Sequence, residues 1–335
     1  MANEVIIRPA GRRLSVEDGE SVLDAALRSG LNLSHSCKGG NCAACRARLL
    51  SGRVAYPSGR PAGLTSREEE LGFVLLCQAH PLESLIVEAL EVRRSEEIEV
   101  KRLPCRVEKM CRLTHDVMAV YLRLPAVEPL KFLAGQYIDV LLSGGRRRSF
   151  SLASPPAERL LEIHVRRVPG GEFTDHVFTD MREKSLLRIE GPLGSFYLRD
   201  SSRPLLFVAG GTGYAPVKSI LTELFAQPTD RITCFYWGAR ARRDLYDLQR
   251  VGAWAQDVRG FSFTPVLSEA LAGDAWSGRV GMVHTAVLQD HDDLQAFDAY
   301  ASGPPQMVEA ARRGFLARGL PSSAFFFDSF DYAPR

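Results

Sequence analysis

Four cysteines constrain this 335-residue chain more than any other feature. They are Cys37, Cys42, Cys45 and Cys77, separated by four residues, then two, then a long gap. The first three lie in a Gly-rich loop, Ser36-Cys37-Lys38-Gly39-Gly40-Asn41-Cys42-Ala43-Ala44-Cys45. This is the spacing with which four thiolates hold a 2Fe–2S cluster. The glycines have a physical reason: the loop must wrap inorganic sulfur and aim backbone N–H groups at it, and a Cβ would often obstruct that. A structural zinc site usually brings two short C-x-x-C hooks, and only Cys42–Cys45 forms one here. Four buried free thiols are the plainest alternative, and the spacing inside a Gly-rich loop favours the cluster over both. Cys105, Cys111 and Cys234 stand outside the motif and read as core or surface residues.

Composition narrows the class. Seven cysteines in a chain of this length are too few for a disulfide scaffold, and their clustering suggests a metal or redox centre. Apolar residues make up 45% and charged residues 24%, enough for ordinary cores, and the length allows two or three domains. Lys and Arg total 42 against 40 Asp and Glu, a net charge of +2, which argues against a chain built to coat nucleic acid or an anionic membrane. Met1-Ala2-Asn3-Glu4-Val5 shows no basic stretch followed by a long apolar one, so no secretory leader is expected and the expected location is cytoplasmic. No apolar run is long enough to span a bilayer.

The pattern along the chain changes twice. Val5-Ile6-Ile7 and Arg13-Leu14-Ser15-Val16 flank Pro9-Ala10-Gly11 as a hairpin, and Ser21 caps a short helix over residues 22–28 that Gly30 stops. Leu85-Ile86-Val87-Glu88-Ala89-Leu90 reads as a closing strand, and the charged residues 91–101 followed by Pro104 read as a solvated linker. Residues 105–198 hold short strands separated by turns, the pattern of a small antiparallel barrel. After Pro204 a strand, Leu205-Leu206-Phe207-Val208-Ala209, is followed by a helix expected over residues 216–225 and a strand at Ile232-Thr233-Cys234-Phe235-Tyr236-Trp237, which predicts a parallel nucleotide-binding sheet. The expected domains are therefore 1–94, 102–200 and 203–335.

Two further sites can be read from the residues. In Arg146-Arg147-Arg148-Ser149-Phe150-Ser151 a guanidinium, a ring and a hydroxyl fall at positions 148, 150 and 151. They can pair with a phosphate, stack on a ring system and reach a heteroatom, whereas an exposed charge run is the plain alternative. Downstream, a strand containing His164, Val165 and Arg166 leads to a Gly-rich helix start at Gly171, Phe173 and Thr174, an anion site. Gly210-Gly211-Thr212-Gly213 lies between a strand and a helix with Pro216 in its first turn, where backbone can approach a pyrophosphate. It lacks the Lys-Ser/Thr of a P-loop and the G-x-G-x-x-G fingerprint, so a tight strand–helix turn is its alternative. Ser302-Gly303-Pro304-Pro305-Gln306-Met307 repeats the strand-to-helix arrangement.

Residues 1–94 resemble a plant-type ferredoxin of the β-grasp fold. Soluble ferredoxins of that type are usually acidic, whereas this segment has 12 Lys/Arg and 11 Asp/Glu. The later motifs resemble the FAD barrel and nicotinamide domain of the ferredoxin–NADP⁺ reductase superfamily, in Arg-x-Tyr/Phe-Ser, Gly-Gly-x-Gly-x-x-Pro and Cys-Gly-Pro-Pro-x-Met. The resemblance implies a multidomain α+β and α/β chain: a β-grasp module, an antiparallel FAD-binding barrel and a parallel-sheet nucleotide-binding domain. It implies that Arg148 contacts the flavin phosphates, Phe150 packs on the flavin and Ser151 lies near its reactive nitrogen, with Ser149, His164, Val165 and Arg166 also at the flavin. Gly171, Phe173 and Thr174 match the pyrophosphate segment and favour FAD. Gly211, Thr212, Gly213, Trp237, Arg240, Ser302, Gly303, Pro304 and Met307 would hold the nicotinamide nucleotide. Ser302 stands where the superfamily usually has cysteine. Phe330 is the expected aromatic cover of the flavin.

These sites in series make an adapter. A reduced nicotinamide gives up two electrons as a hydride, a cluster takes them singly, and a flavin can do both. The expected order is NADH, FAD, the cluster, then outward. The Asp244-Leu245-Tyr246 pattern is similar to that of NADH users. Whole-chain resemblance is to three-domain reductases, which implies a protein acceptor: the terminal oxygenase of a multicomponent Rieske-type hydroxylating system or, alternatively, the dehydrase served by CDP-6-deoxyhexose (glucoseen) reductases, to whose C-terminus Phe326-Phe327-Asp328-Ser329-Phe330-Asp331-Tyr332 is similar. A monomer is expected. A metal-stabilised module that only senses nucleotide is the reading from another class, and it predicts a colourless or zinc-loaded protein.

Overall fold

The computed structural model describes residues 2–31, 33–35, 38–41, 43–89, 98–270 and 272–330. The chain divides between Glu99 and Val100 into two compact units.

In the first unit, alternation sets the strands. Val5 and Ile7 of β1 (Asn3–Arg8) and Leu14 and Val16 of β2 (Arg12–Val16) are buried, and the residues between them face outward. Gly11, at φ 65°, makes the expected hairpin turn. Ser21 accepts from the Asp24 N–H at 3.1 Å and starts α1 (Val22–Arg28), which buries Val22, Leu23, Ala25 and Ala26. After β3 (Arg46–Ser51) and β4 (Val54–Ala55), a Thr65–Glu68 capping box starts α2 (Ser66–Glu70). Then come β5 (Phe73–Leu75), β6 (His80–Pro81) and β7 (Leu85–Glu88). The sheet order is β2-β1-β7-β3-β5, with β7 parallel to β1, and β4 pairs with β6 as a small ribbon. The strand expected to close this unit is thus one of its central strands.

The expected linker lies largely outside the described residues, and its last residue, Lys101, already opens β8 (Lys101–Arg112). Pro104 sits inside that strand rather than before it. β9 (Val117–Arg123) pairs with β8 only from Arg106 onward, so one side of β8 is open at Pro104 and tolerates a residue without an N–H. β10 (Tyr137–Leu141), β11 (Arg147–Ser151), β12 (Leu161–Arg166), α3 (Glu172–Thr179) and β13 (Leu186–Leu193) complete this region. The antiparallel order is β11-β10-β13-β8-β9-β12. A Leu152–Ile163 bridge and the Ala153 N–H on the Glu162 carbonyl at 2.7 Å join its two ends into a barrel. Val107, Val120, Leu122, Ile138, Val140 and Ile163 fill it.

The parallel sheet follows: β14 (Leu205–Gly210), α4 (Tyr214–Leu224), β15 (Thr233–Ala239), α5 (Leu248–Asp257), β16 (Phe261–Leu267), β17 (Arg279–Val280), α6 (Val283–Asp290), β18 (Asp298–Gly303), α7 (Pro305–Ala317) and β19 (Phe325–Ser329). α4 begins two residues before the expected position, because residues 211–213 form a tight helical turn that runs straight into it. The order β17-β16-β15-β14-β18-β19 means the chain leaves β14 in one direction and returns on its other side. The crevice at such a reversal, at the carboxyl ends of β14 and β18, is where open α/β sheets bind ligands.

Candidate functional site

In the first unit the site is the cysteine loop. Cys37 and Cys42 lie outside the described residues. Cys45 and Cys77 are both buried, and the Cys77 N–H donates to Cys45 Sγ at 3.4 Å. Lys38 and Ala43 hold φ of 55° and 56°, a region that L-residues other than glycine seldom adopt. A Cβ on Gly40 would lie 2.9 Å from Gln78 and Pro61 atoms, and one on Gly63 would lie 2.6 Å from the Asn41 carbonyl oxygen. Gln78 Nε2 donates to the Lys38 carbonyl at 2.9 Å and ties the loop to the segment carrying Cys77. Two buried soft donors and a backbone amide aimed at sulfur suit a thiolate-held cluster.

In the second unit the three arginines separate by their partners. Arg146 pairs with Glu172 at 2.8 Å, and Arg147 pairs with Glu190 and Asp139. Arg148, half-buried, meets no carboxylate among the described residues, and its Nη1 donates only to the Arg147 carbonyl at 2.8 Å. It is therefore the guanidinium left for an external anion. Phe150, on the same side of β11, has its ring 5.3 Å from that of buried Phe173 at the start of α3. Gly171 caps α3 without a side-chain hydrogen bond, and a Cβ there would lie 2.5 Å from Thr174 Oγ1. The Thr174 hydroxyl is used within the loop, against Val168. Ser149 Oγ donates to Asp139 at 2.6 Å. The first-turn N–H groups of a helix, like a guanidinium, suit an anion, so Arg148 and the start of α3 offer the same chemistry.

The Gly-rich turn after β14 is held by close contacts. A Cβ on Gly213 would lie 2.0 Å from the Ser302 carbonyl oxygen, so only glycine fits. Gly303 has φ 143° and would clash with Gly210 backbone, and a Cβ on Gly210 would press on Met307 and Pro304. Trp237 is fully buried, stacks on Tyr214 at 4.2 Å and donates Nε1–H to the Gly211 carbonyl at 3.0 Å. It supports the turn from below. The Arg166 guanidinium, which pairs with Asp116 at 2.8 Å, lies 3.3 Å from where a Gly211 Cβ would be. Arg240 is exposed beyond β15. Val165 is buried in the barrel, and both ring nitrogens of buried His164 are taken by Tyr246 and Glu162.

The two halves of the second unit meet at Ser151. Its buried hydroxyl donates to Asp328 Oδ2 at 2.8 Å. In the β18–β19 register Asp328 lies opposite Ser302, whose fully buried Oγ has no hydrogen-bond partner among the described residues. The Phe330 N–H donates to the Gly303 carbonyl at 2.9 Å, and Phe330 is half-buried there. Ser151, Gly213, Ser302, Gly303 and Phe330 thus converge. A buried hydroxyl without a partner beside a Gly-lined turn is a polar group left for a ligand. Nothing in the sequence marks Asp328 as part of this centre. It lies in the quoted C-terminal segment, yet its partner is 177 residues away.

A thiolate-held cluster site, an anion-binding barrel loop and a nucleotide turn on one chain define an iron–sulfur flavoprotein oxidoreductase. Family models agree: a 2Fe-2S iron-sulfur cluster binding domain matches residues 5–82, an oxidoreductase FAD-binding domain 104–197 and an oxidoreductase NAD-binding domain 207–313. The CDP-6-deoxy-L-threo-D-glycero-4-hexulose-3-dehydrase reductase of Yersinia pestis is 36% identical over 333 residues, 98% of this chain and 99% of that protein. The xylene/toluene monooxygenase electron transfer component XylA of Pseudomonas putida is 34% identical over 333 residues, 98% of this chain and 94% of that protein. The crystal structure of Amycolatopsis cytochrome P450 reductase GcoB superposes with a TM-score of 0.82 at 33% identity, covering 99% of this chain and 100% of that one. The chain belongs to the three-domain reductases that join a 2Fe–2S ferredoxin module to the FAD and nicotinamide domains of the ferredoxin–NADP⁺ reductase superfamily. It is an NAD(H)-dependent electron-transfer oxidoreductase. No helix among the described residues is long and apolar enough to cross a membrane.

Proposed function

We propose that this reductase takes electrons from NADH and delivers them singly, through the cluster module, to the terminal oxygenase of a multicomponent hydroxylating system. The observation that carries the reading is the Ser151–Asp328 hydrogen bond, which joins the barrel to the strand beside Ser302. It supports one reaction centre shared by the two halves of the second unit. Bound FAD supplies the conversion between a hydride and single electrons, and the cluster carries those electrons. The protein's own work is placement. Arg148 and the start of α3 hold the FAD phosphates, and Phe150 flanks the flavin. Ser151, fixed by Asp328, would offer its oxygen to the bound flavin. Gly211, Thr212 and Gly213 leave room for the nucleotide pyrophosphate, while Ser302 offers its unpartnered hydroxyl to the nicotinamide. Phe330 closes the site, and Cys37, Cys42, Cys45 and Cys77 hold the cluster.

The xylene/toluene and cytochrome P450 reductases support the oxygenase acceptor by their names. The second reading, a sugar-nucleotide dehydrase as acceptor, is favoured by the 36% identity to the CDP-hexulose dehydrase reductase over almost the whole length of both chains. We place the protein in the cytoplasm as a monomer, without a nucleic-acid or membrane partner. The test is reconstitution of purified reductase and NADH with each class of partner. Substrate-dependent NADH oxidation with an oxygenase component supports the first reading; turnover only with a CDP-hexulose dehydrase replaces it with the second.

A further inference from the structure

A buried polar chain crosses the second unit beside the reaction centre. Lys218 Nζ donates to both oxygens of Glu162 at 2.6 Å, and His164 Nε2 lies 2.8 Å from the same carboxylate. His164 Nδ1 lies 3.0 Å from the Tyr246 hydroxyl. Glu162 and His164 belong to barrel strand β12, Lys218 to α4 behind the Gly-rich turn, and Tyr246 to the segment after β15. Lys218, Glu162 and His164 are each no more than 7% exposed. Tyr246 packs edge-on against Trp237 at 5.2 Å, and Trp237 holds the Gly211 carbonyl. Alongside, Ser219 Oγ donates to the Ser154 carbonyl at 2.7 Å, and Gly135 lets α4 approach the barrel so closely that a Cβ would lie 2.8 Å from Ile220.

The proton positions follow from chemistry. A carboxylate only accepts, so the neutral imidazole carries its hydrogen on Nε2 and donates to Glu162. Nδ1 is then an acceptor, and the Tyr246 O–H must donate to it. Burial holds the imidazole below its usual basicity against the pull of Glu162, and Lys218 opposes a second proton. Among the described residues, the other ionisable groups around this chain are Tyr121 on β9, Tyr214 on α4, Asp247 next to Tyr246, and the charged Arg166, Asp116 and Arg250.

We propose that Lys218, Glu162, His164 and Tyr246 are positioning residues for hydride transfer, fixing the nicotinamide turn against the flavin barrel through one neutral tautomer of His164. The proposal rests on the reading that NADH reduces the flavin at the Ser151–Ser302 junction. Losing one hydrogen bond from the chain displaces the donor without removing any group expected to bind NADH or FAD.

The test is stopped-flow flavin reduction by NADH across neutral pH, with FAD content and the cluster spectrum as folding controls. Tyr246→Phe is expected to lower the rate constant at saturating NADH about tenfold, the effect of one neutral hydrogen bond, with half-saturation and FAD content unchanged. Lys218→Met lets Glu162 draw a second proton onto His164, which turns Nδ1 into a donor and forces the Tyr246 hydroxyl to reverse from donor to acceptor, so the single tautomer that fixes the turn is lost. Its rate is expected to fall on acidification with an inflection absent from wild type, and Lys218→Met/Glu162→Gln is expected to restore a flat profile. Should Lys218→Met fail to fold, Tyr246→Phe alone decides. Wild-type rates and flat profiles in all variants overturn the proposal. A wild type that NADH does not reduce overturns the hydride reading itself and this proposal with it.

Discussion

Ser151 Oγ donates to Asp328 Oδ2 at 2.8 Å, and this bond ties barrel strand β11 to β19 of the parallel sheet. Both residues are buried, so the bond is unscreened and its loss leaves a polar group without compensation. Asp328→Ala is expected to slow flavin reduction by NADH at least tenfold, from roughly 1.5–3 kcal/mol of lost positioning. FAD and cluster content should stay at wild-type levels. A variant reduced at the wild-type rate would remove Asp328 from the reaction centre.

The cluster and flavin sites are expected to be separable. Cys42→Ser should lose the cluster yet keep NADH–ferricyanide activity, which the flavin supports alone, while cytochrome c reduction falls sharply. Equal loss of both activities would mean that the flavin unit depends on the cluster module.

Arg148 and Arg146 make a matched pair for testing anion binding. Arg146 is neutralised by Glu172, whereas Arg148 has no carboxylate among the described residues. Arg148→Ala should weaken FAD retention by more than tenfold, since a charge-assisted bond contributes roughly 1.5–3 kcal/mol. Arg146→Ala should leave retention unchanged. Stoichiometric FAD in diluted Arg148→Ala protein would move the phosphates elsewhere.

Nucleotide choice rests on Arg240, Arg242 and Arg243. All three are exposed, and Arg242 already donates to the Asp274 carbonyl at 3.0 Å. Neutralising them should barely change KM for NADH, and kcat/KM should favour NADH over NADPH in wild type and variant alike. An NADPH preference lost in the triple variant would show that they grip a 2′-phosphate.

Acid should destabilise the second unit before it affects the carboxylates. Burial lowers His164 below its ordinary value, so the folded state stays neutral where the unfolded chain takes up a proton. That stability is present above the unfolded histidine value and is lost as pH falls through and below it. Cooling of the melting temperature from about pH 7.5 to about pH 5.5 should be larger in wild type than in His164→Gln. Equal slopes would mean that His164 is protonated in the folded state. Glu162, raised by burial but lowered further by His164 and Lys218 to about 2, adds a second loss as pH falls below the ordinary carboxyl range towards that value.

What could be read from the sequence was contiguous. The cysteine spacing, Gly210-Gly211-Thr212-Gly213 and Ser302-Gly303-Pro304 each carry their chemistry within a few residues, and the structure shows why glycine is required at Gly213. Alternation located the strands to within a residue or two at most ends. Pro104 misled because a strand open on one side tolerates proline. Asp328, Glu162 and Lys218 were invisible for a different reason. A lone acidic or basic residue in a strand or helix reads as a solvated face until a partner 56 or 177 residues away closes over it.

The central claim is that one chain carries electrons from NADH to its own cluster. Anaerobic addition of NADH to the holoprotein, followed by absorbance and low-temperature electron paramagnetic resonance, tests it directly. Bleaching of the flavin together with a reduced 2Fe–2S signal is expected in wild type, and bleaching alone in Cys42→Ser. A flavin that bleaches in wild type while the cluster stays oxidised, or a holoprotein containing zinc in place of iron and sulfide, would contradict it.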